Sequence, residues 1–100
     1  MMIKLLMSWN IRPGHEDKYF EFIVEEFGPT LNELGMRITD SWYTQYGSQP
    51  QILTGGVTED IASMQDALSS PQWHQLREKL LGYVTDYSQK VVPANGAFQL

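Results

Sequence analysis

The most constraining feature is a change of hydrophobic period that occurs twice along the chain. Residues 2–11 place Ile3, Leu5, Met7, Trp9 and Ile11 on one side and Lys4, Ser8 and Asn10, with Leu6, on the other. That alternation is the mark of a strand with one strongly apolar face. Pro13-Gly14 breaks it as a turn. From about residue 15 to 27 the spacing lengthens to three and four, through Tyr19, Phe20, Ile23 and Phe27, with Glu16 and Asp17 in the first turn. This is an amphipathic helix whose early acids suit its dipole. Gly28-Pro29 is expected to interrupt or kink it, because proline has no N–H to donate, and Leu31 and Leu34 carry the stripe on to a C-cap at Gly35.

The second round has the same plan. Residues 36–47 alternate, with Ile38, Trp42 and Tyr46 on one side, and 52–58 form a shorter strand after a loop. Gly55-Gly56 within it points to a bulge or to a close approach to the backbone. Thr58 or Asp60 caps a short helix carrying Ile61, Met64 and Leu68. Ser70 as N-cap and Pro71 at the first helical position open a longer one. Its expected stripe runs through Trp73, Leu76, Leu80, Val84, Tyr87 and Val91 until Pro93, leaving "GAFQL" as a closing strand.

The order βαββαβ in a single domain over 1–100 predicts an α+β, ferredoxin-like fold: a four-stranded antiparallel sheet with both helices on one face. The other face is then expected to carry Leu6, Tyr43, Leu53 and Val57. So short a chain has nothing left to cover them, which predicts a homodimer formed through the open sheet face.

Composition narrows the partners. The net charge is −5, with acids spread along the chain, so nucleic acid and anionic membrane surfaces are not expected. There is no cysteine for thiolate chemistry, and the two histidines lack ligand partners at metal-site spacing, so neither metal nor cofactor is expected. The apolar run at the N-terminus is short and interrupted by Lys4, so it reads as a strand and not as a signal peptide, and a cytoplasmic location is expected.

Several residues stand out as candidates for a site. Trp9, Trp42 and Trp73 are expected to converge between sheet and helices, as core or as the wall of an aromatic-lined pocket with Asn10, Asp40 and Thr44 as polar groups. Asp40 shares the Ile38–Trp42 face, where burial would raise its pKa and suit it to act as a general base. His74 lies roughly 100° around the helix from Trp73, at the edge of the stripe, as a boundary residue or a proton shuttle. Arg77 is about 40° from Trp73, placed either to lay its stem along Trp73 or Leu81 or to aim an anion-binding guanidinium into a cavity.

The stretch "IRPGHEDKYFEFIVEEFGPTLNELGM", with Arg12-Pro13-Gly14, Pro29 and Glu33-Leu34-Gly35, resembles the dimeric α+β barrel superfamily, which includes antibiotic-biosynthesis monooxygenase-like and NIPSNAP-like proteins. "ALSSPQWHQL" is similar to that group's second shared stretch. The resemblance implies a small-molecule-binding dimer and, for the enzymes of the group, cofactor-independent oxygenation of quinol-like molecules. Asp40 or His74 would then be the base, and Asn10 or Arg77 would steady the anion. Asn10 and Trp73 also match positions that surround porphyrin in the haem-degrading branch. The axial His of that branch is absent, with Tyr83 in its region, and Gly56-Val57 stands where many monooxygenase-like members carry an aromatic. The alternative is a non-catalytic ligand-binding or assembly module whose aromatics are only core.

Overall fold

The computed structural model describes residues 1–44 and 51–94, without the Asp40 side chain. Strand β1 (Ile3–Ile11) is followed by α1 (Glu16–Phe22), a π-helical turn (Ile23–Phe27) and α2 (Gly28–Glu33). Then come β2 (Arg37–Tyr43), β3 (Ile52–Thr58), α3 (Ile61–Ser69), α4 (Pro71–Leu81) and β4 (Val84–Pro93). The sheet order is β2-β3-β1-β4, antiparallel throughout, which is the ferredoxin-like arrangement the alternating periods predict. Ile3, Leu5, Met7, Trp9 and Ile11 join the core with residues from every helix. No helix among the described residues is long and apolar enough to cross a membrane.

Local chemistry accounts for most of these elements. Asp60 and Ser70 cap α3 and α4, accepting from the backbone N–H of Ser63 and Trp73 respectively. Pro29 does not break the first helix. The hydrogen-bond ladder slips by one residue ahead of it, so that the Gly28 N–H reaches Ile23 O, five residues back. The π-turn absorbs the missing proline donor and keeps the helix continuous to Leu34, with Gly35 beyond it at φ +83°. Gly55 and Gly56 meet the expectation of close approach. A Cβ on Gly55 would lie 3.1 Å from the Lys4 stem, and one on Gly56 would lie 3.0 Å from the Met36 sulfur. The register of β3 against β1 has no bulge.

Two sequence expectations are corrected, both because of β-bulges in edge strands. The long helix ends at Leu81, not at Pro93, and residues 84–93 are the closing strand; "GAFQL" lies outside the described residues. One extra residue sits in β4 between the pairs Asn10↔Thr85 and Ser8↔Ser88, where Asp86 takes φ +56°. With that insertion Val84, Tyr87 and Val91 all fall on the helix side, so an interrupted strand imitates helical spacing. Arg12 marks the true helix end. Its guanidinium donates to Leu81 O and Val84 O, and its N–H donates to Tyr83 O. A cation is favoured at those carbonyls, where the helix dipole is negative.

The second bulge is in β2. Ile38 pairs with Gly56 but Ser41 pairs with Thr54, one residue out of step. The shift puts Tyr43, opposite Ile52, on the helix side and not on the open face, and puts Trp42 opposite Leu53. Leu6 and Val57 lie on the open face as expected, yet each is only 6% exposed within the single chain.

Candidate functional site

The helix side of the β2 edge is not filled. A cavity of about 360 Å³ opens between α1, the π-turn and strands β1, β3 and β2. Trp9 forms its floor with Ile52 and Thr54, Tyr19, Phe20, Ile23 and Phe27 its helical wall, and Ile38, Ser41 and Tyr43 its edge-strand wall. Both irregular features contribute: the π-turn supplies Ile23 and Phe27, and the β2 bulge brings Ser41 and Tyr43 to this side. Phe20, Trp42 and Tyr43 are each about half exposed and border it.

The polar groups of the described wall are all uncharged. The Trp9 indole N–H donates to the buried Tyr19 hydroxyl at 2.9 Å. The Ser41 and Thr54 hydroxyls share one hydrogen bond of 2.9 Å. Burial pushes the Tyr19 phenol above its ordinary pKa, with the Trp9 bond offsetting part of the effect, so it remains protonated.

Behind the cavity the aromatic ring of Trp9 is held on two sides. Phe27 meets it edge-on at 5.8 Å between centroids, and Tyr87 stacks at 6.0 Å with planes 7° apart. The Arg77 guanidinium lies over the Tyr87 ring, 5.1 Å from its centroid. Burial raises the Tyr87 pKa to about 12, against the opposing pull of the Arg77 charge and hydrogen bond. A folded-state value above the ordinary 10 means that the phenol's contribution to stability is complete below pH 10 and is lost as pH rises toward about 12. Thermal melts should therefore show Tm falling as pH rises above 10, and Tyr87→Phe should lessen that fall, the part due to Tyr19 remaining. An equal fall in the variant would contradict this assignment.

The sequence candidates separate into two groups. Trp9 and Trp42 border the cavity, but Trp73 does not: it is 2% exposed in the core under α4, so the three tryptophans do not surround one space. Arg77 stacks on Tyr87 and is not part of the cavity wall, and His74 is on the exposed side of α4. Asn10 ties strands together, donating to the Asp86 carboxylate at 3.0 Å and accepting from the Gln51 N–H at 2.9 Å. Thr44 donates its N–H to Gln51 O. Asp40 lies in the bulged stretch of β2 next to Ser41; its side chain is outside the described residues. No cluster of three or more His, Asp or Glu placed to hold a metal ion occurs among the described residues.

Apart from Trp9 and Trp42, the wall residues, Ser41 among them, are not among the sequence candidates. Tyr19 and Phe20 read there as helix stripe, and Thr54 as a strand residue beside two glycines. Tyr43 was assigned to the opposite face. Only the apolar setting of Thr54 offered a signal, since a hydroxyl on the helix side of a buried strand needs a partner.

No protein-family model and no curated protein sequence matches the chain. Solved structures do. A variant of SnoaB, a cofactor-independent oxygenase from Streptomyces nogalater, superposes with a TM-score of 0.74 at 13% identity, covering 96% of this chain and 95% of that one. A NIPSNAP family protein from Agrobacterium tumefaciens gives 0.71 at 14% identity, covering 93% and 92%. An uncharacterized NIPSNAP domain protein from Burkholderia xenovorans gives 0.67 at 15% identity, covering 99% and 100%. At these identities the likeness is one of fold. The chain therefore has the α+β fold common to the NIPSNAP-like and monooxygenase-like proteins that its Arg12-Pro13-Gly14 and Ser70-Pro71 stretches resemble.

Proposed function

We propose that this protein binds a small, neutral, mainly apolar organic molecule in the cavity between α1 and the β2 edge. The observation that carries the proposal is the wall itself. It encloses about 360 Å³, near the lower end of the usual range for small-molecule sites, behind aromatic and aliphatic side chains and a few hydroxyls. Filling such a space with apolar atoms removes Trp9, Ile23 and Phe27 surface from water, at about 25 cal/mol per Å². The test is titration with ethylnaphthalene, read by quenching of tryptophan fluorescence. Saturable one-to-one binding is expected, and its absence up to the solubility limit would refute the proposal.

A catalytic extension, cofactor-independent oxygenation, draws on the fold shared with SnoaB and on Asp40 standing beside Ser41 in the chain. In that extension Asp40 is the base. His74 and Arg77 support it less, since α4 carries them away from the cavity wall.

A homodimer through the open sheet face, in the cytoplasm, goes with this proposal. Its apolar patch now comprises Leu53 and Val92, both half-buried, around Leu6 and Val57, with half-exposed Trp42 at the edge. Light scattering at micromolar concentration should give twice the chain mass, and a monomer there would contradict the dimer.

A further inference from the structure

We infer that the Tyr19 hydroxyl is the donor that anchors the cavity's ligand, and that the ligand offers it a neutral acceptor oxygen on an apolar frame, as a ketone or ester does. This rests on the cavity being a binding site and specifies what it selects. Tyr19 is 3% exposed and lies in the cavity wall. The indole N–H of Trp9 already occupies one lone pair of its oxygen. An indole has no acceptor, so the Tyr19 proton cannot be returned to Trp9. Among the described residues no other group takes that proton, and a buried hydroxyl donor left unmet is destabilising. A ligand acceptor in the cavity supplies the missing partner.

The neighbouring hydroxyls offer a second donor. Ser41 and Thr54 are two hydroxyls joined by one bond, so one hydroxyl proton is left over there as well. The described hydroxyls thus keep protons that a ligand oxygen can accept. A carbonyl oxygen has two lone pairs for such donors and carries no charge to desolvate. A carboxylate is disfavoured because the described wall offers no cation to offset its desolvation.

The test compares two near-isosteric probes, methyl naphthyl ketone and ethylnaphthalene, by calorimetric titration of the wild type, Tyr19→Phe and Ser41→Ala. The ratio of ketone affinity to hydrocarbon affinity is the readout, which cancels the difference in the probes' own hydrophobicity. In Tyr19→Phe that ratio should fall by about five- to tenfold, as loss of one neutral hydrogen bond implies, while ethylnaphthalene binds within about twofold of wild type. An unchanged ratio in Tyr19→Phe overturns the inference, as does a ratio lost only in Ser41→Ala. If neither probe binds the wild type, the cavity reading itself is what fails. Should Tyr19→Phe not fold, the carbonyl stretch of the ketone bound to wild type decides. A shift to lower frequency than in hydrocarbon solvent supports the anchor, and an unshifted band overturns it.

Discussion

Trp9→Ala is expected to lower stability by about 3–5 kcal/mol, the cost typical of deleting a buried large aromatic side chain. The site is severe because Trp9 has several jobs. It is 1% exposed, packs edge-on against Phe27, stacks on Tyr87 and satisfies the buried Tyr19 oxygen. It also sits in the central strand β1, paired with Ile52 of β3, where collapse of the surroundings is restrained by the sheet. Against a typical total of roughly 5–15 kcal/mol the loss is a large fraction of what holds the domain together. Denaturant melts measure it, and Trp9→Phe separates its parts by keeping a ring while removing the N–H. A loss below about 1 kcal/mol in Trp9→Ala would mean that the ring is not part of the core.

Ser41→Trp is expected to weaken ethylnaphthalene binding at least about tenfold while the protein stays folded. An indole on Ser41 would project into the space the probe needs, from an edge strand whose side chain is exposed. Aromatic residues suit such strand positions, so the strand itself tolerates the change. The lost Ser41–Thr54 bond leaves a buried Thr54 hydroxyl, worth about 1–3 kcal/mol unless the indole N–H meets it. The same replacement at His74, exposed on α4, should leave probe affinity unchanged. Equal affinities in both variants and the wild type would place the probe elsewhere.

These two residues also show how far the sequence could be read. The side of Trp9 followed from strict alternation in β1, which has no irregularity from Ile3 to Trp9 in its pairing with β3. Helix starts at Asp60 and Ser70 were visible because capping is written in the residues that do it. The edge strands were harder, because each carries an extra residue that no glycine announces. In β4 the bulge at Asp86 turned a strand's period into a helix's, and in β2 the bulge exchanged the sides of Trp42 and Tyr43. The cavity depends on that second exchange, so its edge-strand wall was the part least visible. Its helical wall departs less from the periodicity: Phe20 belongs to the apolar stripe but ends at the mouth, while Phe22 takes the core position against Tyr83.

The most direct test of the central claim is an NMR titration of the three tryptophan indole N–H signals with ethylnaphthalene. The cavity predicts that Trp9 shifts progressively to saturation while Trp73, buried under α4 and outside the wall, stays in place. Movement of Trp73 with Trp9 unmoved would contradict a ligand site between α1 and the β2 edge.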